Sequence, residues 1–396
     1  MTHNNKEVVA DESNLLNVME EWKTAVGKTI TRPETWEDFI GNQRAVNVIR
    51  EAVEAAKIEN RHVDHILLFG PAGVGKTSLS RLVARDLGSE CFETTASTLE
   101  TPSDVIRIIM NMNEARERLH KPSVLFVDEI HMLGNARGRQ AIDQESIYPL
   151  LEDWTFFHNM AGRKILDGKG DATDENGKES KVTLTKNYCH AWPFTCIGAT
   201  TEPGVLNAAL LRRFLLQVEL EPYTEANIAE IIFRACLRLD WDITQDAAEF
   251  LAKFSRLNPG RARSLMQYAH NRAITSDADS ISLSIAAEVV DRLKLFPEGL
   301  GDSDVRILKI LADRFPKGSG QAELSRAAGI SVNQFANMME PYLRQLGLVE
   351  TLNRRVITLK GLKYLDTIKL LNRARPELRA ALKKIDEPAE EEAVPA

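Results

Sequence analysis

The sequence predicts an α/β domain built on a parallel sheet, followed by a small helical domain and a winged helix. Three observations carry that reading. Short apolar runs alternate with helical segments through the first 220 residues, the strands stop after Glu221, and three helices followed by an alternating ribbon occupy residues 303–366.

The chain has 396 residues, room for two or three hydrophobic cores. Its 43% hydrophobic and 27% charged residues are the composition of a soluble globular protein. A net charge of -7 argues against indiscriminate coating of nucleic acid but leaves room for a local basic face. Cys91, Cys189, Cys196 and Cys236 form no CxxC pair. They read as small buried side chains in a reducing compartment, without structural zinc. No apolar run is long enough to cross a bilayer, and the first twelve residues lack the apolar core of a secretion signal. The expected location is the cytoplasm, with no membrane partner.

Residues 1–30 form a polar extension in which Leu15 to Val26 could make a short amphipathic helix. The large domain is expected over 31–220. After Arg32 a turn signal leads into apolar residues at helical spacing. "HILLFG" is a buried strand ending in glycine, "TSLSRLVARDLG" a helix stopped by Gly88, and "SVLFVDEIH" and "FTCIGATT" two further buried strands. Between those last two, 156–192 is polar and rich in Gly, Asp and Lys, and its "KVTLTKNY" alternates as a hairpin strand does. A long β-hairpin insertion is expected there. Four helical segments fill 221–298, ending at the Pro/Gly-punctuated "FPEGLGDSD". The winged helix is expected over 299–370. Its third helix starts at Ser331, with Gln334 completing a capping box, and its ribbon turns at Asn353. A basic helix and an acidic tail fill 371–396.

Five motifs and one basic stretch carry chemistry. Gly70-Pro71-Ala72-Gly73-Val74-Gly75-Lys76-Thr77, then Ser78, fits the phosphate-loop pattern between a strand and a helix. Its glycines let the backbone turn amides toward phosphate oxygens, and the next helix points its N-terminus at the same charge. Lys76 is expected to reach the β- and γ-phosphates of ATP, and Thr77 to hold Mg²⁺. In "VLFVDEIH", Asp128 is expected to organise Mg²⁺ and Glu129 to polarise the attacking water. "GATT" offers Thr200 or Thr201 to the γ-phosphate or the water. "LNAALLRRF" places Arg212 and Arg213 after a short helix, where an arginine can act on a neighbouring subunit's phosphate. "NPGRARSL" sets Arg261 and Arg263 at the start of a helix, where such an arginine can report nucleotide state. Between 351 and 384, ten bases stand against two acids, a patch that phosphate backbones attract.

In this order, "RPETWEDFIGNQ", "DHILLFGPAGVGKTSLSRLVA", "VLFVDEIHML", "YPLLED", "FTCIGATTEPG", "LLRRF" and "EPYLRQLGLVE" resemble the RuvB family, from about Arg32 to Leu365. The resemblance implies an AAA+ P-loop NTPase core with a helical lid and a winged helix, assembled as hexameric rings on duplex DNA. It implies ATP-driven translocation that moves the branch point of a four-way Holliday junction in recombination and repair. It puts the trans-acting finger at Arg213 beside Arg212, and adenine near Phe39 and Ile40. Arg32, Tyr223 and Arg261 are expected as further nucleotide contacts, and the resemblance implies DNA contacts from Arg354 and Arg355. The family's hairpin docks RuvA, the junction-binding partner. Three features depart from the pattern. Glu202 follows "GATT" in place of the usual arginine, the arginine of "NPGRARSL" is shifted by about one residue, and 156–192 is enlarged. Two alternatives stay open: a clamp-loader or RarA-like ATPase that remodels replication complexes, and an ATP-controlled DNA-bound scaffold.

Overall fold

The computed structural model describes residues 32–133, 142–157 and 188–371. The N-terminal extension, the greater part of the hairpin insertion and the basic helix with its acidic tail lie outside the described residues. The chain separates into two compact units, one spanning Arg32–Tyr223 and the other beginning at Thr224.

The first unit is a sheet with helices. Its strands are β1 (Ile66–Phe69), β2 (Cys91–Thr95), β3 (Val124–Asp128), β4 (Thr155–Phe157), β5 (Tyr188–His190), β6 (Thr195–Thr200) and β7 (Leu216–Glu219). Five of them form a parallel sheet in the order β2-β3-β6-β1-β7. The three central strands are nearly continuous apolar runs because both faces are covered. The edge strands β2 and β7 were not singled out from the sequence. "CFETT" and "LQVE" are only partly buried and carry polar residues, so neither shows the apolar run of an inner strand.

Helix α1 (Gln43–Glu59) buries Val46, Ile49 and Val53. Helix α2 (Lys76–Leu87) follows β1, and its buried face includes Leu79, Leu82 and Val83. It ends at Gly88 in the left-handed conformation, as the sequence predicts. Helix α3 (Pro102–Leu119) begins with a capping box between Thr101 and Asp104. Strands β4 and β5 pair antiparallel, Phe156 opposite Cys189, so the insertion has a hairpin base. Phe156 and Ala191 tie this base into the core with Leu150, Leu151 and Phe194.

His65, just before β1, fastens that base to the sheet. Its Nε2 donates to the Leu151 carbonyl at 2.9 Å, and its Nδ1 accepts from the Cys196 amide at 3.0 Å. Trp154 packs edge-on against the ring, centroids 5.6 Å apart. A second proton on Nδ1 would face an N–H, so the ring must stay neutral.

The second unit starts with four helices, α6 (Glu225–Arg238), α7 (Gln245–Lys253), α8 (Pro259–Thr275) and α9 (Leu283–Arg292); the short α4 (Tyr148–Glu152) and α5 (Ala208–Leu211) belong to the first unit. Thr224, Asn258 and Ser282 each cap a helix with a side-chain oxygen. The winged helix follows, with α10 (Asp302–Asp313) and α11 (Gln321–Ala328). Its third helix starts at Val332, passes through a π turn at Phe335–Met339 and resumes as Glu340–Gln345. Ser331 Oγ accepts from the Gln334 amide at 3.1 Å. Strands β8 (Val349–Thr351) and β9 (Arg355–Ile357) form the antiparallel ribbon, and the chain is helical again over 359–371.

The helical bundle and the winged helix are clasped at the linker. Arg256 Nε donates to the Gly299 carbonyl at 3.0 Å and its guanidinium pairs with Asp304, which is 3% exposed. Arg261 donates to the same carbonyl at 3.3 Å, and Tyr342 Oη to the Glu298 carbonyl at 2.8 Å. Only glycine fits at 299: φ is +67°, and a Cβ would lie 2.2 Å from the Phe254 carbonyl oxygen.

Burial lowers the His65 pKa from 6.5 to about 4. The unfolded chain therefore takes up the proton first. The stability His65 contributes is full above pH 6.5 and is lost as pH falls toward 4, by about 3 kcal/mol in all. Denaturant unfolding between about pH 7 and pH 5 should show this slope, and His65→Asn should be less stable at neutral pH but flatter below it. Equal slopes for the two chains would contradict the assignment.

Candidate nucleotide site

The candidate site lies where β1, β3 and β6 end side by side. Phe69 is level with Thr200, and Val127 with Gly198. The parallel sheet therefore delivers three loops to one edge, as open α/β sheets do.

The first is the phosphate loop. Gly70, Gly73 and Gly75 have φ of 145°, 85° and 99°. Two of them are also sterically required. A Cβ on Gly70 would fall 2.3 Å from the Leu220 carbonyl oxygen, and one on Gly75 would fall 2.8 Å from Phe39 Cζ and 3.1 Å from Tyr223 Oη. Phe39 and Tyr223 thus press on the loop, with Tyr223 donating to the Val74 carbonyl at 3.1 Å. Burial pushes the Tyr223 phenol up to about 12, so it remains a donor. Val74 is buried, Ile40 and Arg32 are half-buried, and Thr77 and Ser78 open helix α2.

Lys76 is 7% exposed, and its Nζ donates to the carbonyls of Gly70 and Pro71 at 2.8 and 2.9 Å. Burial lowers its pKa, against the opposing pull of Glu129 and Asp128. Asp128 shows the converse. Burial raises it and the Glu129 charge adds to that, while the Glu129 amide, donating to Asp128 Oδ1 at 3.0 Å, opposes. The loop cradle suits a triphosphate, and the oxygen donors of Thr77 and of Asp128 are of the kind a hard divalent cation takes.

The second and third loops meet through Glu129. This residue has φ 47° and ψ 48°, and it turns the chain from β3 into a 3₁₀ turn at Ile130–Met132. Thr201 donates to Glu129 Oε2 from its amide at 3.3 Å and its hydroxyl at 3.1 Å. Thr200 is fully buried and faces His131 instead, Oγ1 to Nδ1 2.9 Å. The sequence left the choice between the two threonines open; the contact to Glu129 is made by Thr201. His131 was not singled out at all, though it stands two residues past Glu129 in "DEIH".

The two arginines after α5 differ sharply. Arg213 is 17% exposed; it donates to the Ala209 carbonyl at 2.6 Å, pairs with Glu152 at 3.0 Å and lies 3.9 Å over the Tyr148 ring. Tyr148 is itself fixed, donating at 2.6 Å to Asn207 Oδ1, which caps α5. Arg212 is exposed and, among the described residues, makes no ion pair. In the second unit, Arg261 is turned toward the Gly299 carbonyl, and burial with the neighbouring Arg256 charge lowers its pKa. On the wing, Arg354 is exposed at the ribbon turn, whereas Arg355 is held by the buried carboxylate of Glu340 at 2.8 Å. The wing thus leaves Arg354 exposed, with one long contact to the Gly318 carbonyl at 3.4 Å, and uses Arg355 to brace the ribbon.

Truncation should separate the arginine pair. Arg213→Ala removes a partly buried cation with three partners and should lower stability by about 1–3 kcal/mol, while Arg212→Ala should change it by less than about 0.5 kcal/mol. Equal melting temperatures for the two variants would contradict the packing described.

The chain is similar to known proteins. Residues 31–220 match the Holliday junction DNA helicase RuvB P-loop domain, and 297–366 the RuvB C-terminal winged helix domain. The Holliday junction branch migration complex subunit RuvB of Kosmotoga olearia is 31% identical over 336 residues, covering 84% of this chain and 89% of that protein. Its counterpart from Thermotoga maritima is 32% identical over 341 residues, covering 86% and 93%. The solved structure of the Thermotoga maritima RuvB Holliday junction branch migration motor superposes with a TM-score of 0.67 at 29% identity, covering 85% of this chain and 98% of that one. At this identity over about nine-tenths of each relative, the chain belongs to the RuvB family.

Proposed function

We propose that this protein is an ATP-driven DNA translocase that moves the branch point of Holliday junctions, working as a hexameric ring on duplex DNA. The observation that carries the reading is the meeting of Lys76, Asp128, Glu129 and Thr201 at one sheet edge, in a chain that continues into a winged helix. The relatives' names supply the substrate: they are subunits of a branch migration complex.

In this reading Lys76 and the loop amides bind and orient the phosphates of ATP. Thr77 and Asp128 hold Mg²⁺, which supplies charge neutralisation to the phosphoryl oxygens. Glu129 takes the proton of the attacking water, with Thr201 fixing the carboxylate. Phe39 and Ile40 take the adenine side, with Arg32 and Tyr223 around the loop. Arg213 is the finger offered to the next subunit. Its guanidinium is already oriented by Glu152 and Ala209, so little is left to organise when the neighbour docks. Arg261 acts through the linker it holds, passing lid movement to the winged helix. Arg354 and the basic stretch after it contact phosphates, and a RuvA-like partner engages the hairpin.

Two measurements test this. On a synthetic four-way junction, the wild type with a RuvA-like protein should convert the junction to products in an ATP-dependent way, without a sliding clamp. DNA-stimulated hydrolysis with no branch movement under any partner would favour the remodelling or scaffold alternatives. Lys76→Ala and Arg213→Ala should each abolish turnover. An equimolar mixture should recover about a quarter of wild-type activity, because about that share of ring interfaces joins an intact site to an intact finger. Recovery with Arg212→Ala but not with Arg213→Ala would move the finger to Arg212.

A further inference from the structure

We infer that His131 is a positioning residue for hydrolysis, one that aims the Glu129 carboxylate and ties it to the end of β6. The inference deepens the reading above and rests on Glu129 acting on the attacking water.

The geometry begins with the backbone. Glu129 in the left-handed region reverses the chain, and the turn closes with Met132 N donating to the Glu129 carbonyl at 2.8 Å. Ile130 is driven into the core, fully buried, and His131 is folded back beneath Glu129 with 9% exposure. Its Nδ1 then lies 3.2 Å from Glu129 Oε2 and 2.9 Å from Thr200 Oγ1. A carboxylate oxygen can only accept, so Nδ1 must carry a hydrogen. Thr200 Oγ1 already accepts from the Glu202 amide at 3.0 Å and has a second lone pair for that hydrogen.

The contacts are lopsided. Thr201 N, Thr201 Oγ1 and His131 Nδ1 all reach the same carboxylate oxygen, Oε2. With Oε2 held from three sides, rotation about the carboxylate bond is stopped and Oε1 is left as the oxygen for water. One of the three holders comes from the β3 turn, the other two from the end of β6. A shift of either strand end therefore moves the carboxylate. Positioning of this kind matters because misplacement by about 1 Å can lower a rate about a hundredfold.

The test exploits which ring nitrogen is used. The amide nitrogen of asparagine sits where Nδ1 does; that of glutamine sits nearer Nε2. We expect His131→Ala and His131→Gln to lower kcat for ATP about tenfold to a hundredfold while KM stays within about twofold. His131→Asn should restore most of the loss. Melting temperatures are measured alongside, and if the alanine variant does not fold, the asparagine and glutamine variants still decide. Unchanged kcat in His131→Gln would overturn the inference. So would equal losses in the asparagine and glutamine variants with KM rising in parallel, the signature of a merely structural residue. A wild type that binds ATP but never turns it over would instead overturn the chemistry assigned to Glu129, and the inference with it.

Discussion

The parallel register of β1, β3 and β6 is the constraint from which the site follows. All three strands are covered on both faces, so no charge can sit along their interiors, and a buried polar group such as Thr195 needs a partner, here the Val63 carbonyl at 2.8 Å. The first place the chain can afford charge is the edge where they end together, and three loops must turn there at once. Lys76, Asp128 and Glu129 meet because the sheet leaves them nowhere else. The electrostatic consequence is a site under tension. Burial lowers the pKa of the lysine and raises that of the aspartate, each shift disfavouring the charged form. The lysine is held by two loop carbonyls and drawn by two carboxylates, so an incoming phosphate replaces partners that are already in place.

The second unit solves a different problem, joining two small domains so that they act together. Gly299 is the pivot. Its carbonyl takes hydrogen bonds from Arg256 and Arg261, and Asp304 completes the clasp. Loss of one partner would strand a buried charge, at a cost of about 3–5 kcal/mol. A helical domain held this way cannot rotate without carrying the winged helix along. That is the mechanical property a translocase needs between its nucleotide-responsive part and its DNA-contacting part. Tyr342 and Tyr364 reinforce it, donating to the carbonyls of Glu298 and Pro297 at 2.8 and 2.5 Å.

Much of this was legible in the residues. The inner strands β1, β3 and β6 announce themselves as apolar runs, and the phosphate loop and "DEIH" are contiguous, so their chemistry can be read locally. The edge strands β2 and β7 could not be read so, because an edge strand is half-exposed and mixes polar with apolar residues. What sequence reading missed is long-range. The His131–Thr200 contact joins residues 69 apart, and the Arg355–Glu340 pair joins a wing to a helix. Arg261 shows the same limit from the other side. Its place at a helix start points to a nucleotide sensor, and local reading gives no sign of the contact its guanidinium also makes to a carbonyl 38 residues on. The π turn at Phe335–Met339 likewise has no signature in the apolar pattern, which runs through it unbroken.

The measurement closest to the central claim is a structure determined with Mg²⁺ and a non-hydrolysable ATP analogue. Lys76 Nζ should there leave the carbonyls of Gly70 and Pro71 for phosphate oxygens, with the amides from Gly73 to Thr77 turned onto the same phosphates. Nucleotide bound elsewhere, with Lys76 still on its two carbonyls, would contradict it.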